Sequence, residues 1–78
     1  MKVEIMTADG VLFEGNADEV LLPGVGGGLG IKKGHAPLVV ALHLGGVIVV
    51  AGEKRQTIAI LGGTASVSPA GVTVFASL

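Results

Sequence analysis

Few side chains in this 78-residue chain are equipped for chemistry, and their spacing limits what that chemistry is. His35 and His43 are the only imidazoles, and the chain has no cysteine. The acids Glu4, Asp9, Glu14, Asp18, Glu19 and Glu53 stand in other segments. A two-histidine metal site is therefore short of ligands, because zinc and copper ask for a third and usually a fourth. Asp18 and Glu19 are neighbours in a run that reads as strand, where successive side chains point to opposite faces, so they make a poor acid–base pair. No serine occupies a strand-to-helix elbow of the Gly-x-Ser-x-Gly kind, and no activated nucleophile is evident. For His35 two readings stand level: a turn imidazole bonded to nearby backbone, or a contact to another subunit. His43 reads as a strand-end surface residue. We expect no catalytic residue, no cofactor and no metal.

The glycines at 24, 26, 27, 28, 30 and 34 raise the question of phosphate binding. No Gly-Lys dipeptide follows them, no three of them fit the dinucleotide fingerprint, and no helix follows to offer its amides to an anion. The basic residues are Lys2, Lys32, Lys33, Lys54 and Arg55, and the net charge is −1. Two short pairs do not make the cationic stripe that nucleic acid requires, and with neither tyrosine nor tryptophan there is little for bases to stack on. Lys32 and Lys33 taken alone read as solubilising charge on the loop that holds His35.

The elements that must hold these residues are strands. Half of the residues are hydrophobic, yet only Phe13 and Phe75 are aromatic, so the core is built from Val, Ile, Leu and Ala. Lys2 to Thr7 alternates with Val3 and Ile5 on one face, and Asp9-Gly10 signals a hairpin into Val11–Phe13. Val11 to Leu22 is long for one strand, and Gly15-Asn16 suggests a bulge or bend within it before Pro23-Gly24 ends it. Six of the eleven residues from Gly24 to Gly34 are glycine, leaving only Leu29 to Ile31 as a short strand inside a loop. Pro37 to His43 favours strand through Val39 and Val40. Gly46 to Ala51 and Thr57 to Leu61 are apolar on both faces and read as central, buried strands joined by a charged loop, Gly52 to Gln56. Thr64, Ser66 and Ser68 alternate with apolar residues, and Pro69-Ala70-Gly71 turns the chain into Val72–Phe75, a half-exposed hairpin.

Eight to ten short strands without an amphipathic helix imply an all-β fold, a small two-sheet β-sandwich or flattened barrel occupying residues 1–78 as one domain. The uncharged stretch from Gly34 to Gly52 is broken by Pro37, His43 and Gly45-Gly46, so it does not read as membrane-spanning, and Met1 to Glu4 does not read as a secretory signal. A cytoplasmic-type compartment follows by default. With only 14% charged residues, some apolar surface is expected to meet a partner.

Taken in order, several short motifs run through nearly the whole chain. They are Asp9-Gly10, Pro23-Gly24, Leu29-Gly30-Ile31, Gly34-His35-Ala36-Pro37-Leu38, Leu61-Gly62-Gly63 and Val72-Thr73-Val74. In this order they resemble the N-terminal β-domain of the epsilon subunit of F-type ATP synthases. The resemblance implies a non-catalytic rotor, or central-stalk, subunit that couples the gamma shaft subunit to the c-ring during proton- or sodium-driven ATP synthesis. It implies a peripheral position on the cytoplasmic or equivalent organelle face of the membrane. Carried over by position, Gly28, Leu29, Lys32, Lys33, Gly34, His35, Ala36 and Pro37 form one loop facing the c-ring, and Val40, Leu42, Leu61, Gly62 and Gly63 face the shaft. Two departures stand out. Gly28 occupies a place where family members commonly carry an acid, and the chain stops at Leu78, so the family's C-terminal helical hairpin, with its inhibitory and ATP-binding abilities, is expected to be missing.

Two other readings compete. A generic small β module that self-associates through uncovered edge strands is one. A carrier domain is the other, and it would need a modifiable lysine flanked by methionine, whereas Lys54 lies between Glu53 and Arg55.

Overall fold

A computed structural model describes all residues from Met1 to Leu78. It is all-β, with nine strands and no helix: β1 (Lys2–Thr7), β2 (Gly10–Asn16), β3 (Glu19–Leu22), β4 (Leu29–Lys32), β5 (Leu38–Leu42), β6 (Gly45–Ala51), β7 (Lys54–Ile60), β8 (Gly62–Ser68) and β9 (Gly71–Ser77). They form a five-stranded sheet ordered β2-β1-β9-β8-β5 and a four-stranded sheet ordered β4-β3-β6-β7. The expected two-sheet sandwich is the observed fold.

The core lies between the sheets and is aliphatic throughout. Alternation puts Val3 and Ile5 of β1, Val20 and Leu22 of β3, Val47 and Val49 of β6, Ala65 and Val67 of β8, and Val72 and Val74 of β9 inside. No polar or charged residue is buried with them. At about 25 cal/mol per Å² of apolar surface removed from water, this layer is the main stabilising term. Branched side chains suit it, since they fill a pleated interface without polar atoms that would need partners.

β1 is an interior strand of its sheet. It pairs antiparallel with β2 and parallel with β9, so the first and last strands of the domain lie side by side. The Ala8-Asp9 turn joins β1 to β2, with Gly10 at φ +139 taking a conformation that a side chain would oppose. The Asp9 N–H donates to Thr7 Oγ1 at 3.1 Å.

Three details correct the sequence reading. The run from Val11 to Leu22 is not one bent strand: at Ala17-Asp18 the chain leaves the five-stranded sheet and enters the other. Its two halves cover opposite sides of the core. The corner is tied down by Asp18, whose N–H donates to Val50 O at 2.7 Å and whose Oδ2 accepts the Gly52 N–H at 2.6 Å. The register shift lies earlier in the run, between β1 and β2, where Ile5 faces Phe13 and Met6 faces Val11, leaving Leu12 as the extra residue.

The second correction concerns β7, which is not central. It is the outer strand of its sheet, exposed from Lys54 to Thr57 and buried only at Ile60. Lys54, Arg55 and Gln56 belong to it, and the turn shrinks to Gly52-Glu53, with Gly52 at φ +63. A glycine with positive φ at the first of two turn residues matches a type II′ hairpin, the geometry that follows strand twist. Third, Leu61 is 62% exposed rather than buried. Its N–H donates to Ser77 O at 2.8 Å, so the backbone is held while the side chain points out.

Candidate functional site

The registers define two ends of the sandwich. One end carries the Ala8-Asp9 turn, the glycine loop after Leu22, His43-Leu44, Leu61 and Leu78. The other carries the Ala17-Asp18 corner, the Lys33 to Pro37 turn, Gly52-Glu53 and Pro69-Ala70. The first end is apolar. Leu44, Leu61 and Leu78 are all exposed there and line one shallow depression with Gly45, Ala59 and Ile60.

The second end is polar, and its turn is built locally. Gly34 takes φ +84 and donates its N–H to Pro69 O at 3.1 Å, which pins the turn to the β8–β9 connection. The His35 N–H donates to Lys32 O at 3.2 Å. His35 Nδ1 lies 2.7 Å from Ala36 O. A carbonyl oxygen can only accept, so Nδ1 carries the proton, and in the neutral ring Nε2 is left as an acceptor. The backbone-bonded reading of His35 thus describes its local state. His43 does the same, its Nδ1 donating to Leu44 O at 2.6 Å.

The residues assigned by resemblance to one c-ring loop do not share a loop. β4 runs through the middle of the segment, so Gly28 and Leu29 sit at the apolar end while Lys33, Gly34, His35, Ala36 and Pro37 sit at the other. At ~3.3 Å per residue the two groups are separated by roughly 10 Å or more. The short strand expected at Leu29 to Ile31 is present, with Gly30 facing Leu21 in the β3–β4 ladder, and its length is what parts the two groups.

Of the residues assigned to the shaft, Leu42 is 5% exposed and belongs to the core. It pairs with Gly63 of β8 and is bridged to Gly24. Val40 is half-buried and packs against the core. Leu61, Gly62 and Gly63 lie at the apolar end. Gly63, at φ +150, lets its strand approach the Phe75 carbonyl oxygen so closely that a Cβ would collide with it.

A further feature escaped the sequence reading, namely a row of residues on the outer face of the five-stranded sheet. Cross-strand register aligns Val11, Met6, Phe75, Thr64 and Ala41, with Val11 and Phe75 both exposed. The signal was present as apolar residues at the outward phase of β1, β2 and β9, but only the strand order makes them neighbours.

The ionisable groups do not converge. No three His, Asp or Glu side chains come together in a metal-holding group. The one ion pair is Lys2–Glu4 at 3.5 Å, on the outer sheet face. No helix is long and apolar enough to cross a membrane.

Together these features define a class, a small aliphatic β-sandwich that presents one apolar end, one polar end and an outer sheet face. The chain belongs to the family described as the ATP synthase delta/epsilon chain β-sandwich domain, whose model matches residues 1–77. Among curated relatives, the ATP synthase epsilon chain 2 of Nitrobacter hamburgensis is 44% identical over 75 residues, covering 96% of this chain and 55% of the relative. The ATP synthase epsilon chain of Gloeothece citriformis is 46% identical over 67 residues, covering 86% of this chain and 49% of the relative. The chain therefore spans about half the length of these relatives.

Among solved structures, a chain of the Euglena gracilis mitochondrial ATP synthase, from a structure described as OSCP/F1/c-ring, superposes with a TM-score of 0.89 at 22% identity, covering 97% of this chain and 49% of that one. A chain of the Tetrahymena thermophila mitochondrial ATP synthase, from a structure described as central stalk/c-ring, gives 0.78 at 13% identity, with 100% and 63% covered. At these identities the likeness is one of fold.

Proposed function

We propose that this domain is the sandwich part of a non-catalytic central-stalk subunit of an F-type ATP synthase, coupling the gamma shaft subunit to the c-ring. The carrying observation is family membership over residues 1–77. The physical character of the domain supports it. Passing torque between neighbours calls for a body that resists shear, and a dry, close-packed aliphatic core between two sheets supplies that stiffness. Ion-driven rotation and peripheral attachment to the membrane through the complex belong to the same reading.

On this reading the polar end, with Lys32, Lys33 and the His35 turn, meets polar loops of the c-ring. The apolar end, with Leu61 to Gly63, meets the shaft, where desolvating exposed leucines would contribute to binding. Gly28 and Leu29, at the apolar end, would not share the His35 contact. Gly28 offers no carboxylate, so a charge pair of the kind an acid would make is not expected there.

The test is a pull-down with isolated gamma and c-ring. Binding to neither at micromolar concentration, by protein whose β spectrum is intact, would refute the proposal. His35→Ala is expected to weaken c-ring capture, and Leu61→Ala to weaken gamma capture. Both substitutions should leave the unfolding free energy from urea titration within about 0.5 kcal/mol of the parent, since both side chains sit outside the core. Loss of both captures by one variant would mean that the two ends are not separate contacts.

A further inference from the structure

Every open sheet has two edges, and the sandwich has four, three of them blunted. β4 and β5 are four and five residues long, and the Gly24–Leu42 bridge draws that side of the sandwich together. β2 carries the register shift that spoils its ladder. β7 differs. It runs seven residues, Lys54–Ile60, in unbroken register with β6 and contains no glycine or proline. Such an edge is a ready template for another strand.

The hairpin fixes which backbone groups are free. A two-residue turn closes on a hydrogen-bonded pair, here Ala51 and Lys54, so Lys54, Gln56, Ile58 and Ile60 bond to β6. The N–H and C=O of Arg55, Thr57 and Ala59 then point away from the sheet.

The side chains along this edge are selective. Between β7 and the edge of the opposite sheet lies a cleft at the mouth of the core, lined by Phe13, Val49, Ala51, Lys54, Arg55 and Gln56. Lys54 and Arg55 are exposed, and neither is ion-paired, the one salt bridge being Lys2–Glu4. An added strand would lay alternate side chains into the cleft beside Phe13 and set the others next to Arg55 on the outer face.

A second copy of this chain fits badly. In the antiparallel register that pairs the whole of β7 with itself about Thr57, Arg55 meets Ala59 and Lys54 meets Ile60, and no carboxylate faces either cation. We propose that β7 accepts an extended acidic segment of a different protein as a fifth strand of the four-stranded sheet, with a carboxylate opposite Arg55 and apolar side chains in the cleft. Main-chain bonds would supply affinity and the alternate side chains selectivity. This does not depend on the rotor reading, since it rests on the free backbone of β7 and the cleft beside Phe13, although Ala59 also borders the depression at the apolar end.

The probe is the acetylated, amidated peptide Thr-Leu-Thr-Leu-Glu-Glu, titrated into isotope-labelled protein while amide shifts are followed. The expected result is saturable binding that weakens with salt, with the largest shifts at Arg55, Thr57 and Ala59. Arg55→Glu should weaken it by about tenfold or more. A peptide N-methylated on the residues facing Arg55 and Thr57 should not bind, because it cannot donate to the edge. Either absence of saturation at about 1 mM peptide or equal binding by the version with Lys in place of both Glu would overturn the proposal. So would shifts centred off β7. Sedimentation showing dimers that Arg55→Glu abolishes would assign the edge to a second copy instead and equally overturn it.

Discussion

Gly71→Val is expected to cost about 3 kcal/mol or more, a large part of the roughly 4 to 12 kcal/mol that a chain of this length can hold. Gly71 opens β9 where the parallel partner begins, and its backbone approaches Lys2 so closely that a Cβ would collide with the Lys2 carbonyl oxygen. Backbone cannot swing aside as a side chain does. The strand must shift, and with it the Lys2 N–H to Ala70 O bond of 3.1 Å. Equilibrium urea unfolding checks the size of the effect, and amide exchange should show β1 loosening before β6. Gly26→Val is the control: its φ lies outside the left-handed region and a Cβ there meets nothing within 4 Å, so the unfolding free energy should change by no more than about 0.5 kcal/mol. Equal losses in the two variants would show that contact with Lys2 is not what requires the glycine.

Ile5→Ala should be nearly as damaging, at about 3 to 4 kcal/mol. Ile5 is fully buried on a strand flanked by β2 and β9, where it lies opposite Phe13 and Val74. Removing three carbons from such a place loses their transfer energy and leaves a cavity that two rigid sheets cannot close. Val11→Ala, one strand away but on the outer face and 57% exposed, should change stability by no more than about 0.5 kcal/mol. The contrast separates burial from strand propensity, since both changes replace a β-branched residue by alanine.

Much of this fold was legible because its signals are local. Asp9-Gly10 and Pro69-Ala70-Gly71 marked hairpins that are present, and the alternation of Val3 with Ile5 and of Ala65 with Val67 gave the inward phase correctly. What could not be read was which sheet a strand joins and where in it. β2 and β3 look like one bent strand because a corner between sheets and a bend within a strand use the same small and polar residues, and Ala17-Asp18 carries no special mark. β7 looks central because Ile58, Ala59 and Ile60 are as apolar as β6, and whether a second neighbour covers them is decided by residues far away. Leu61 was misjudged for the same reason.

The candidate site was legible only as chemistry. Histidines without ligand partners, glycines without a helix and carboxylates on adjacent strand positions each argued against a reactive centre. The grouping of surfaces was not legible. Gly28 and His35 are seven residues apart in sequence yet belong to opposite ends, because β4, the short strand expected at Leu29 to Ile31, runs between them.

The parallel contact between β1 and β9 has a consequence for biogenesis. Lys2 to Met6 are synthesised well before their partners, Gly71 to Phe75. Until then β1 has only the β2 hairpin, and a lone hairpin is at best marginally stable in water. The five-stranded sheet therefore cannot close around its middle before β9 has been made, and β1 stays open to proteases until β9 arrives. Nascent chains arrested before Gly71 should be digested as readily as unfolded polypeptide, and protection should appear abruptly once Phe75 has cleared the ribosome.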